Sequence, residues 1–129
     1  MGTWKSKNRH KYLFQYHIIF VCKYRKKLLM SKQISDDIKQ FSYEICQKHK
    51  VIIRYMQTDK DHIHYMIETE PTMSISKIVN LMKSYTTYHI WKRYPDYLRN
   101  ISGKNILFGR TDILSAVWEM YQKRCPENI

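Results

Sequence analysis

Polar and apolar residues alternate along Asp61-His62-Ile63-His64-Tyr65-Met66-Ile67-Glu68. A period of two is the pattern of a strand with one face in a core. It groups Ile63, Tyr65 and Ile67 on one side and His62, His64 and Met66 on the other. Tyr12 to Lys23 carries the same period. Tyr12, Phe14, Tyr16, Ile18, Phe20 and Cys22 share a face, while Gln15, His17 and Lys23 stand among apolar groups on the opposite one. Between these strands the period lengthens: Ile34, Ile38, Phe41 and Ile45 recur at helical spacing, over about 18 residues, with Asp36 and Asp37 near the positive end. Val51 to Thr58 predicts another strand, and Asp59-Lys60-Asp61 is a tight connection that makes it a hairpin with the histidine strand. After Pro71, Ser74 caps a helix from Ile75 to Arg93 whose apolar stripe is Ile75, Ile78, Val79, Met82 and Ile90, and Pro95 closes it. The order β-α-β-β-α, with a last strand expected after residue 100, predicts an α+β fold. It is a split βαβ, ferredoxin-like or RRM-like domain, an antiparallel sheet with its helices on one face.

Composition changes this picture through its charge. The chain of 129 residues, a single domain in length, is 43% hydrophobic and carries 23 basic against 11 acidic residues, a net charge of +12. The first acid is Asp36, and nine lysines and arginines precede it. Such a one-sided distribution suits a polyanion, and the eleven tyrosines favour nucleic acid, since aromatic faces stack on unpaired bases while cations track phosphates. The longest apolar run, Ile18 to Cys22, is too short to span a bilayer, and no signal-peptide pattern opens the chain. Cys22, Cys46 and Cys125 lack metal or disulfide spacing, which fits a reducing cytoplasm. A soluble, cytoplasmic protein without membrane contact is expected.

The histidine pair adds chemistry. Neutral imidazole is a common ligand of first-row metals, and His62 and His64, at i and i+2 on one strand face, are expected to project towards a common point. Two ligands do not close a coordination shell.

Three segments together resemble the single-tyrosine HUH transposases, the TnpA-type enzymes of insertion sequences that move as single-stranded DNA. They are Tyr16-His17-Ile18-Ile19-Phe20-Val21-Cys22-Lys23-Tyr24-Arg25-Lys26-Lys27, Asp61-His62-Ile63-His64 and Ser76-Lys77-Ile78-Val79-Asn80-Leu81-Met82-Lys83-Ser84. The resemblance implies a homodimer acting on single-stranded or hairpin DNA at the element's ends. It implies Mg²⁺ or Mn²⁺ held by His62, His64 and a glutamine of a C-terminal helix, and a tyrosine on that helix that cleaves and rejoins DNA through a 5′-phosphotyrosine. DNA contacts are expected from the basic turn (Lys23, Arg25, Lys26, Lys27) and from Asn80, Lys83 and Ser84 on the second helix.

The resemblance divides the chain into a transposase-like domain, residues 1–100, and a divergent tail, residues 101–129. The family ends in a W-T-D-G-Y-F-V strand, a G-N-V-S turn and a helix with Y-x-x-x-Q, and none of these is present in the tail. Back-translated and read one nucleotide out of register, however, Trp118-Glu119 forces Gly and Met120-Tyr121 forces Val. One permitted reading from Phe108 is W-T-D-G-Y-F-V-C-S-L-G-N-V-S-E-K-M-S-G-K-Y. A frameshift near residues 100 to 102 accounts for this, and it removes the helix that carries the nucleophile. The substitutes within the tail are Tyr121 as nucleophile and Gln122 as ligand, but as neighbours they diverge by about 100° on a helix. Two rival readings remain: a non-enzymatic DNA-binding remnant, and an RRM-like RNA-binding module, which would lack the RRM signature and leave the histidines unexplained.

Overall fold

A computed structural model describes residues 12–23, 26–70, 72–102 and 107–119. Four strands form one antiparallel sheet in the order β2-β3-β1-β4: β1 is Tyr12–Cys22, β2 Ile52–Thr58, β3 His62–Thr69 and β4 Phe108–Glu119. Helices α1 (Lys32–Lys48) and α2 (Ile75–Arg93) provide the two crossovers, and a short α3 (Pro95–Ser102) precedes β4. This is the ferredoxin-like α+β arrangement that the hydrophobic pattern predicts, including the strand expected after residue 100.

The core lies between the helices and one face of the sheet. Ile18, Phe20, Ile63, Tyr65 and Ile67 present no surface to solvent and meet Ile34, Ile38 and Ile45 of α1 and Ile78, Met82 and Ile90 of α2. Tyr65 is the largest of these side chains. Its hydroxyl is satisfied at 2.7 Å by the buried Ser42 hydroxyl of α1, so the helix is tied to the sheet by a polar contact inside the core.

Both long helices begin at a serine cap. Ser31 Oγ accepts from the Ile34 amide and Ser74 Oγ from the Lys77 amide, each at 3.2 Å. Asp36 and Asp37 lie beyond the first turn of α1 rather than at its positive end, because the helix starts at Lys32. Asp36 pairs with Lys32 and Asp37 with Arg93 of α2, so the acids serve ion pairs instead of the helix dipole. α1 ends in a Schellman turn, with Val51 N donating to Cys46 O (2.8 Å) and Lys50 N to Gln47 O (3.2 Å). Lys50 takes the left-handed position of that turn at φ 60°. Pro95 ends α2 as expected but also opens α3, since proline at the first helical position loses no hydrogen bond.

Candidate functional site

Two regions hold the residues singled out by the sequence, and they lie on opposite faces of the sheet. The face turned away from the helices carries Gln15 and His17 of β1, Tyr55 and Gln57 of β2, and His62, His64, Met66 and Glu68 of β3. Alternation puts them there, because their chain neighbours Ile18, Ile63, Tyr65 and Ile67 are in the core. In β2 a bulge leaves Arg54 without a partner in the register, which brings Tyr55 opposite Met66 and Gln57 opposite His64.

His62 and His64 share this face but make different contacts. His62 Nδ1 lies 3.0 Å from Asp61 Oδ1. A carboxylate on Nδ1 fixes the ring's orientation and leaves Nε2 as the lone-pair donor, the pattern found behind metal-bound histidines. His64 Nε2 faces His17 Nδ1 at 3.2 Å, and the ring of Tyr55 meets both imidazoles edge-on. Burial, followed by the neighbouring His17 and His62, lowers the His64 pKa and favours its neutral form, the one that coordinates metal. His62 and His64 would supply two imidazole donors to a divalent ion, which does not by itself close a coordination shell. Among the described residues, no three His, Cys, Asp or Glu side chains are arranged to hold a metal ion. Gln122 and Tyr121, proposed from sequence as ligand and nucleophile, lie outside the described residues.

Further along the same face, Glu68 is almost fully buried. Arg54 Nε donates to its Oε1 at 3.0 Å and Gln15 Nε2 to its Oε2 at 3.2 Å, so both carboxylate oxygens are paired. The sequence shows Glu68 as a polar end to an alternating strand. The clamp around it depends on strand register and on the bulge at Arg54, which local pattern does not reveal.

The second region lies on the helix side. A groove of about 890 Å³ opens between α2, α3 and the start of β4, with Lys83, Ser84, Tyr88, Trp91, Lys92 and Arg99 in its wall. No acidic residue lines it among the described residues. Lys83 Nζ donates to Thr111 Oγ1 of β4 at 3.1 Å and lies over the Phe20 ring, and partial burial lowers its pKa. Lys92 Nζ stands 5.7 Å from the Tyr88 ring centre, and Tyr88 is 59% exposed. Asn80 is exposed one helical turn before Ser84, outside the groove wall. Of the basic turn, Lys26 and Lys27 are exposed, and Lys23 donates its amide to Leu107 O at 2.9 Å, next to the groove's β4 wall. Arg25 lies outside the described residues. The structure therefore joins Lys83 and Ser84 into one site and adds Tyr88, Trp91, Lys92 and Arg99, which the sequence pattern did not single out. Their i, i+3 and i+4 spacing along α2 is a readable signal, but the contribution of α3 is hidden when Pro95 is taken only as a stop.

Comparison with known proteins agrees with this architecture. Residues 10–117 match the family described as "Transposase IS200 like". The chain is 24% identical over 95 residues to the ISDra2 transposase TnpA of Deinococcus radiodurans, covering 74% of this chain and 67% of that one. It is 26% identical over 96 residues to the transposase of insertion element IS200 from Salmonella typhimurium, covering 74% of this chain and 62% of the relative. A crystal structure from Deinococcus radiodurans R1, described as a transposase, superposes with a TM-score of 0.70 at 20% identity over 78% of this chain and 76% of that one. A REP-associated tyrosine transposase bound to a REP hairpin gives 0.57 at 12% identity over 79% of this chain and 55% of that one. With its fold, its histidine strand and most of its length accounted for, the chain belongs to the IS200-like transposase family.

Proposed function

We propose that this chain binds hairpin or single-stranded DNA at insertion-sequence ends, through the groove on the helix side together with the basic turn. The basic, aromatic groove is the observation that carries this reading. Lys83, Lys92 and Arg99 supply cations for phosphates, and the exposed face of Tyr88 supplies a stacking surface for an unpaired base. The hairpin in the REP-associated transposase, a protein of the same fold, supports the choice of DNA.

His62 and His64 are the residues that would hold Mg²⁺ or Mn²⁺ in this reading. Such an ion supplies polarisation of a scissile phosphate and stabilises charge on the departing oxygen. The protein's own part is to hold His62 through Asp61 and to keep His64 neutral. Strand cleavage and rejoining through a phosphotyrosine are impaired in this chain, because the tail carries no Y-x-x-x-Q pair. Misplacing a nucleophile by about 1 Å alone can cost on the order of 100-fold in rate. A homodimer in the cytoplasm completes the proposal. β4 is an edge strand of the sheet, and Cys22 and Cys46 are free, buried thiols, which suits a reducing compartment. No helix among the described residues is long and apolar enough to cross a membrane.

The test is titration of labelled hairpin DNA at several salt concentrations, followed by a search for a covalent adduct in Mn²⁺. Neutralising Lys23, Lys26, Lys27 and Lys83 is expected to weaken binding and to reduce the log–log salt slope by roughly 0.7 to 0.9 for each phosphate that the protein no longer neutralises. Unchanged affinity and slope would remove these residues from the site. Equal affinity for single-stranded RNA would favour the RNA-binding reading. No adduct is expected, and an adduct abolished by Tyr121→Phe would show that Tyr121 acts as the nucleophile.

A further inference from the structure

Three loops meet at the end of the sheet where β3 begins. Cys22 N donates to Asp61 O at 2.8 Å, Leu29 N to Lys60 O at 3.0 Å and Lys23 N to Leu107 O at 2.9 Å. The basic turn after β1 is thereby held on one side to the β2–β3 turn and on the other to the segment before β4. Leu28 and Leu29, both buried, anchor its far end in the core. The β2–β3 turn is closed as well: Asp59 N donates to His62 O at 2.9 Å, and the Lys60 amide to Asp59 Oδ1 at 2.8 Å.

This packing brings Lys60, which the sequence pattern shows only as part of a tight connection, up to Lys26 and Lys27. All three side chains are exposed. Among the described residues none of them pairs with a carboxylate, whereas Lys32, Arg54, Arg93 and Arg99 each do. Of the two acids in the turn, Asp59 accepts from the Lys60 amide and Asp61 is buried beside His62. Lysines gathered without counter-charge repel one another, and a polyanion relieves that repulsion. Their position adds to the argument. Leu107 and Phe108 belong to the groove wall, and His62, the first residue of β3, is two residues from Lys60.

We propose that Lys60, together with Lys26 and Lys27, binds the phosphates of an unpaired strand that leaves the groove and crosses this end of the sheet towards His62. This rests on the DNA reading above and narrows it to a hairpin with a single-stranded flank, the hairpin itself staying in the groove. Lysine suits the task, because a compact, flexible point charge meets a phosphate without reading the base attached to it. The frequent alternative, three solvated surface lysines, predicts no dependence on the flank.

Anisotropy titrations over a salt series, without divalent metal, separate the two with a labelled blunt hairpin and the same hairpin carrying an unpaired thymidine tail on its 5′ or its 3′ end. For wild type, a tail on one of the two ends is expected to tighten binding and to steepen the log–log salt slope by about 0.7 for each tail phosphate neutralised. Lys60→Ala is expected to make the slope of that tailed probe shallower by about 0.7 while leaving the blunt hairpin at wild-type affinity. Lys60→Arg, which keeps the charge, should retain the wild-type values. Lys48, exposed in the last turn of α1, is the control, and Lys48→Ala should change neither probe. A tail increment untouched by Lys60→Ala, or an equal loss from Lys48→Ala, would overturn the inference. A tail that adds nothing at either end, with the blunt hairpin still bound, would overturn it and leave the DNA reading intact. No binding of either probe would overturn both.

Discussion

The two faces of the sheet use the same strands for opposite purposes. On the helix side, Ile18, Phe20, Ile63, Tyr65 and Ile67 are fully enclosed, and the one buried hydroxyl among them has a partner. On the other side, the same strands present Gln15, His17, His62, His64 and Glu68, with Ile19 and Met66 among them. One residue of register separates a side chain that holds the fold together from one that is available for chemistry. The helix-side face also lends its rim to the basic groove, because Lys83 reaches from α2 to Thr111 over the Phe20 ring. The core and the basic groove therefore share one face, and the histidine pair lies on the other.

The largest effect is expected in the core. Phe20→Ala removes a ring that contacts both Tyr65 and Phe108 and is expected to cost about 3–5 kcal/mol, measured by denaturant unfolding. DNA affinity should fall with it, through the loosened groove wall. Tyr65→Phe keeps the ring and leaves the Ser42 hydroxyl without its partner, for about 1–2 kcal/mol in the same assay. On the opposite face, Arg54→Met leaves the buried Glu68 carboxylate with only Gln15. Arg54 is 44% exposed, and water screens part of the pair, so about 1–2 kcal/mol is expected rather than the cost of a fully buried ion pair. A loss no larger than that of an exposed lysine substitution would show that the clamp contributes nothing. The smallest change is Lys50→Gly, which relieves a left-handed residue in the turn after α1 and is expected to stabilise by roughly 0.5–1 kcal/mol without touching either face.

Much of this division is legible in the amino-acid order. The period of two in β1 and β3 assigns both faces, and the serines before α1 and α2 mark their starts. Three features are not legible, each for a physical reason. The contact between His17 and His64 depends on pairing between strands 47 positions apart. The left-handed turn falls on Lys50, a residue that gives no warning of it, because the Schellman hydrogen bonds and the burial of Val51 outweigh the local cost. Arg99 joins the groove only because α3 restarts after Pro95, which by sequence pattern alone marks an end.

The central claim is that DNA binding and metal binding reside on opposite faces, and one measurement addresses it directly. Anisotropy titrations of the same labelled hairpin, without divalent metal, would compare wild type, Lys92→Ala/Arg99→Ala and His62→Ala/His64→Ala. These groove and histidine positions are separated by the sheet. The account predicts about a tenfold or greater loss of affinity, with a shallower salt slope, in the groove variant. The histidine variant should match wild type. Loss of affinity in the histidine variant with the groove variant unaffected would place the DNA on the wrong face and contradict the account.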